Sequence, residues 1–164
     1  MELIDLRETI MRIKELKKEN KKNYKIIRIA FLRNYTVERV INYLELFLLQ
    51  EGFLPNFYFS EYDNVFQDIL NESSNYYKFK PDITILSLAT PIIGEKLTYN
   101  FSKIVGEGLE KEINRITNQI EDIISTLSQK NVGTIFIHNF ETPKFPAFGI
   151  LDYQSNNYQI NCFR

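Results

Sequence analysis

Residues 25–38, KIIRIAFLRNYTVE, constrain this chain more than any other stretch. Ile26, Ile27, Ile29, Ala30, Phe31 and Leu32 form a near-continuous apolar run. A strand that alternates polar and apolar residues hides one face from water. A continuous run hides both, which is the habit of strands in parallel sheets. Polarity then switches at Arg33 and Asn34. Thr36 and Glu38 follow, and an amphipathic pattern begins. Strand, short polar turn and helix make the first half of a βαβ unit. Ligands of open α/β sheets sit beyond the carboxyl ends of the strands. Arg33, Asn34 and Thr36 therefore stand at the expected mouth of the domain.

The rest of the chain repeats this alternation. Before it, Leu3, Leu6, Ile10, Ile13 and Leu16 space a helix over 3–20 that runs into KKENKK, a helix end where cations suit the dipole. Packing on the sheet edge or on another domain is the plainer role for this helix, and docking a partner the sharper one. After the first strand (25–33), a helix is predicted over 36–51. Thr36 is its N-cap, Val40, Ile41, Leu44, Phe47 and Leu48 its buried stripe, and Gly52 its terminator. A second strand, Leu54 to Ser60, ends in the acids Glu61 and Asp63. Residues 63–71 read as a short helix with Val65, Phe66, Ile69 and Leu70 inward, and SSNYYKFKPD as a surface stretch. A third strand over 82–88 stops at Ser87, Ala89 and Thr90, and Pro91 and Gly94 mark a loop. A long helical pattern runs from Phe101 to Leu127, with Gly106 and Gly108 moving its true start toward Leu109. A fourth buried strand covers 132–138. ETPKFPAFG has no helical pattern, and ILDYQSNNYQINCFR opens a further element. The prediction is an α/β fold: a three-layer α/β/α domain over 24–164 with a parallel sheet of four or five strands, preceded by an N-terminal amphipathic helix over 1–23.

Composition excludes several function classes. Twenty basic residues against 21 acidic ones leave a net charge of −1, with no electrostatic footprint for nucleic acid. No apolar stretch is long enough to span a bilayer. The acidic start MELIDLRETIM lacks an apolar core and is not a secretory signal. One cysteine, Cys162, excludes an internal disulfide and fits a reducing cytoplasm. One histidine, His138, argues against an all-protein zinc site, so no metal is expected in this chain.

Parallel strands bring their ends to one side, so Arg33, Asn34, Thr36, Glu61, Asp63, Ser87, Thr90, His138, Asn139 and Glu141 can converge. A phosphate loop needs glycine after the first strand, and Arg33-Asn34-Tyr35 has none. A serine hydrolase needs a nucleophile at that elbow, where this chain carries Asn34. His138 is a candidate base, although a lone histidine at a strand end is more often a hydrogen-bonded structural residue. Ser87 at a strand end is more often part of the core. Asn34 and Asn139 most often satisfy turn backbone. Arg33 is the strongest binding candidate. A guanidinium behind a central strand needs an anion, which Glu61, Asp63, Glu141, a ligand carboxylate or a ligand phosphate can supply. Cys162 reads as a small buried hydrophobe.

With these residues in view, IRIAFLRNYTVE, EYDNVFQDILNESSNYYKFKPDITILSL and VGTIFIHNFETPKFPAFGILDYQ resemble the N-terminal region of FkbH-like proteins of the haloacid dehalogenase superfamily. Those are multidomain proteins associated with loading a glyceryl unit onto an acyl carrier protein. The resemblance implies an SGNH-hydrolase-like fold for 25–164. It implies a downstream haloacid dehalogenase-like domain that carries the D-L-D-x-T motif and Mg2+, with no cofactor in this segment. It also implies an acyl carrier protein with its phosphopantetheine arm as partner, and a chain that continues beyond Arg164. The Gly-Asp-Ser and Asp-x-x-His blocks of SGNH hydrolases are missing. The first expectation is therefore an accessory domain that binds substrate or carrier through Arg33, Asn34, Thr36, Ser87 and Asn139. The alternatives are a divergent acyltransferase or esterase using His138, and a purely structural assembly domain.

Overall fold

The computed structural model describes residues 5–19, 23–62, 64–104, 106–130, 132–154 and 158–163. The expected Leu3 of the first helix and the acid Asp63 lie outside them. The elements follow in the order α1 (Leu6–Glu19), β1 (Lys25–Arg33), α2 (Glu38–Gln50), β2 (Phe53–Phe59), α3 (Val65–Leu70), α4 (Asn75–Phe79), β3 (Ile83–Ser87), α5 (Thr90–Ile93), α6 (Glu95–Tyr99), α7 (Phe101–Ile104), α8 (Glu107–Gln129) and β4 (Thr134–Ile137). Two 3-10 turns, Gly149–Tyr153 and Gln159–Phe163, end the chain. The four strands form one parallel sheet in the order β2-β1-β3-β4. The predicted α/β class, its parallel sheet and its N-terminal helix are present, in keeping with a three-layer α/β/α arrangement. The chain divides into two compact units, Met1–Ile85 with Val132–Phe136, and Leu86–Asn131 with Ile137–Arg164.

In the first unit, β1 pairs with β2 from Lys25↔Phe53 to Phe31↔Phe59. Ala30 and Leu32 are fully buried on one face, and Ile29 and Phe31 on the other, as a run of apolar residues requires. The Phe31 and Phe59 rings stack with centroids 5.6 Å apart. Ile41, Leu44 and Leu48 of α2 pack on this Phe31 face, while Leu46 and Leu49 pack on Ile13 and Leu16 of α1. Having two neighbours turns α2 away from the predicted stripe: Val40 and Phe47 are exposed. Ile26, at the open start of β1, is exposed as well.

Three further expectations are corrected in this unit. Thr36 does not cap α2; the cap is Val37, with no side-chain bond, because the Thr36 hydroxyl is held by Tyr62 at 2.7 Å. In α3 only Val65 and Ile69 face inward, and Phe66 and Leu70 are exposed, since one and a half turns bury a single i, i+4 pair. The stretch 73–82 is no mere surface segment. It folds as α4 around a fully buried Tyr76, whose hydroxyl meets Thr84 Oγ1 at 2.8 Å and whose ring lies 6.1 Å from that of Tyr58.

Gly133 introduces β4 at φ +79, where a Cβ would overlap the Asp82 carbonyl. That carbonyl accepts the Thr134 amide. Asp82 also ties β3 to β1: its carboxylate takes two guanidinium hydrogen bonds and the backbone N–H of Arg28. The fourth strand was expected to be buried. Instead β4 ends the strand order, and Phe136 and Ile137 are exposed.

In the second unit, the loop expected after β3 is three short helices, α5 to α7. The long helix begins at Glu107 behind Gly106, whose φ of +89 suits glycine. Leu109, Ile116 and Phe101 pack with Leu97 and Phe163. Glu112 is buried on α8 and is paired by Arg115 at 2.7 Å, which holds its carboxyl below the ordinary range. The 3-10 turns Gly149–Tyr153 and Gln159–Phe163 contain Asp152 and Gln159, both almost fully buried.

Candidate functional site

β1 delivers Arg33 to the sheet's carboxyl end. Its backbone N–H donates to Ser60 Oγ at 2.9 Å, and the Ser60 N–H donates to the Phe31 carbonyl. The strand ends of β1 and β2 are thus locked together. The guanidinium is almost fully buried, and its terminal nitrogens are engaged by protein groups. Nη2 meets Glu38 Oε1 at 2.8 Å. Nη1 donates to the Tyr35 carbonyl and to the Tyr62 hydroxyl. The Tyr62 and Phe59 rings lie 4.7 and 5.2 Å from the guanidinium carbon, a cation–π cradle. Nε is buried without a hydrogen-bond partner.

Among the described residues the anion partner of Arg33 is Glu38, not Glu61, and Asp63 lies outside those residues. Five residues on, at the first turn of α2, Glu38 reaches back to the strand end. Its carboxylate is half-exposed and is held below the ordinary range by its own backbone N–H and then by Arg33. Thr36 joins the group through Tyr62. Asn34 is buried beside it in the chain, and Glu61 is exposed. What this corner can do chemically is bind an anion: a desolvated guanidinium is held in place, and its one carboxylate partner among the described residues is half-exposed.

In the second unit, Ser87 and Thr90 are buried. Thr90 Oγ1 accepts the Glu141 N–H at 3.1 Å, so those two predicted residues do meet. The His138 N–H bonds to the Leu86 carbonyl, and the His138 and Asn139 side chains are exposed. Thr90 and Glu141 line a cavity of about 420 Å³ with Thr98, Tyr99, Lys144 and Phe145. A smaller apolar cavity of about 80 Å³ is lined by Ile93, Leu97, Ile116 and Cys162 among others. Burial pushes the Cys162 thiol above its ordinary range, with Asp152 adding to the shift. Among the described residues no three His, Cys, Asp or Glu side chains cluster to hold a metal ion, and no helix is long and apolar enough to cross a membrane.

Sequence reasoning singled out Arg33 but missed Glu38, Phe59 and Tyr62 as its surroundings. A signal was present. A buried cation at a strand end leaves the following helix turn as its nearest source of a carboxylate, and the paired strand's end as its nearest ring.

No family model matches the chain, and no curated protein matches it. Among solved structures, its fold is similar to that of the N-terminal part of the protein BF1531 from Bacteroides fragilis, which contains a phosphatase domain and is complexed with Mg. The TM-score is 0.66 at 19% identity. The match covers 92% of this chain and 39% of the other, so the chain spans about two fifths of that structure's length.

Proposed function

We propose that this chain is an SGNH-like accessory domain of an FkbH-like protein, one that binds the phosphopantetheine arm of an acyl carrier protein or a phosphorylated donor through Arg33. The observation that carries this reading is the Arg33 corner. A buried guanidinium with an unshared Nε is cradled by two aromatic rings, and its only ion-pair partner among the described residues is the half-exposed Glu38. Glu38 then occupies the place of the ligand's anion and gives way to it. Thr36 and Asn34 flank the same corner. Ser87, His138 and Asn139 are assigned to the binding role at the ends of β3 and β4. Phosphate chemistry and Mg2+ belong, in this reading, to a separate haloacid dehalogenase-like domain. The fold match to a longer protein fragment containing a phosphatase domain is in keeping with that division. The elbow after β1 offers Asn34 where an esterase needs a nucleophile.

The test is a titration of the protein against holo and apo acyl carrier protein, with phosphorylated D-glycerates as a parallel series. Holo carrier is expected to bind more tightly than apo carrier. Arg33→Ala should remove that advantage, and Glu38→Gln, which removes the competing carboxylate without touching the core, should strengthen it several-fold. Equal affinity of both forms in all three proteins, or binding of neither, overturns the proposal.

A further inference from the structure

α1 carries two working faces, and only one is used inside the first unit. Thr9, Ile13 and Leu16 face inward and pack toward Leu46 and Leu49 of α2. On the opposite side, Arg7, Ile10, Met11, Lys14 and Lys18 are linked by the three- and four-residue steps 7–10, 7–11, 10–14, 11–14 and 14–18, which sets them in one outward stripe. All five are exposed, Met11 by 59%. The cations of α1 divide in the same way. Arg12 pairs with Glu15, and Lys17 pairs with Glu45 of α2. Arg7, Lys14 and Lys18 make no ion pair among the described residues. Lys14 and Lys18 stand at i, i+4, where like charges repel and destabilise the helix. A cleft of about 460 Å³ lies along the flank of this stripe, bounded by Glu8, Met11, Arg12 and Glu15 of α1 and by Leu46 and Gln50 of α2.

We infer that the outer stripe of α1 docks an acidic, helical protein surface. Acids of the partner would face Arg7, Lys14 and Lys18, while an apolar side chain enters the cleft beside Met11. Charge complementarity selects this occupant. The chain as a whole carries a net charge of −1, which offers nothing for a polyphosphate, so the positive character is local to the helix. A membrane surface needs a broad apolar face sunk among the headgroups. Here the buried apolar face of α1 is already spent on α2, and among the described residues Leu6, Ile10 and Met11 remain outside. A protein helix needs no more than that: one or two apolar contacts inside a rim of opposite charge. This inference rests on the carrier reading above in one respect, that the carrier protein serves as the partner.

The two ideas fail separately. An Arg7→Glu/Lys14→Glu/Lys18→Glu variant changes only exposed side chains, and circular dichroism confirms its fold. It is expected to weaken apo and holo carrier alike by at least tenfold, and wild-type affinity is expected to fall as salt is raised. Arg33→Ala acts on the holo form alone. A control, Lys103→Glu/Lys111→Glu, removes exposed cations from the second unit and should leave affinity within twofold. If carrier binds and the α1 variant binds it equally well, or if the control loses as much, the docking face is refuted while the Arg33 pocket stands. Binding of neither form by the wild type overturns both.

Discussion

The region around β1 and the pair of 3-10 turns, Gly149–Tyr153 and Gln159–Phe163, both bury side chains, and opposite forces hold them. β1 is surrounded by rings and branched side chains: Phe31 stacks on Phe59, with Ile29, Val37 and Phe57 close by. The pair of turns is held by two polar side chains. Gln159 donates to the Leu97 and Thr98 carbonyls and accepts the Ala147 N–H, while Asp152 accepts the N–H groups of Phe148 and Gln159. Dispersion and hydrophobic burial tolerate changes of shape. Hydrogen bonds around a dry hub tolerate no loss of a donor or an acceptor. One region should therefore be sensitive to volume and the other to polarity.

Truncating the aromatic core is the largest test. Phe31→Ala should cost about 4 kcal/mol in urea unfolding, whereas Phe31→Leu should cost less than about 1.5 kcal/mol. At the polar hub the order reverses. Gln159→Leu keeps size but strands two carbonyls and an amide, for a loss of about 3 kcal/mol. If Gln159→Leu proves as mild as Phe31→Leu, the contrast between the regions collapses. Gly133→Ala sharpens it from the side of the backbone. Its positive φ and the overlap with the Asp82 carbonyl predict a loss of about 2 kcal/mol without any change of polarity.

That contrast also explains what could be read from the chain. Hydrophobic runs announce themselves, so β1 was found at its true bounds, and β2, β3 and α8 within a few residues. Residues organised by hydrogen bonds leave no period. Asp152 and Gln159 sit in LDYQSNNYQINC as if in a loop, and Tyr76 sits among serines and lysines. β4 misled for a different reason. Its apolar composition predicts burial, but burial depends on its place in the strand order, which composition does not encode. At the candidate site, Arg33 was legible because a cation behind a buried strand is anomalous. Its partner was not, because three other carboxylates were equally plausible on spacing.

The smallest effect concerns acid. Arg28 hydrogen-bonds the Asp82 carboxylate and depresses its pKa. A carboxyl that ionises more readily when folded adds stability above its unfolded value of about 4, and that stability drains away as pH falls through the lower folded value. The thermal midpoint of the wild type should therefore drop across that window more than the midpoint of Asp82→Asn. The drop will be slight, because both partners are partly exposed.

Tyr76, sealed beneath α4, gives the molecule a built-in optical gauge. The chain has ten tyrosines and no tryptophan, so its near-ultraviolet spectrum is written by phenols. Burial pushes the Tyr76 hydroxyl up to about 12, and burial followed by Asp68 raises Tyr58 as well. In an alkaline titration an unperturbed phenol ionises at about pH 10. These two should lag, and should ionise together with the loss of structure. Folding weakens on the alkaline side because the unfolded chain releases those protons first. A single absorbance trace would thus record how firmly the first unit stays closed.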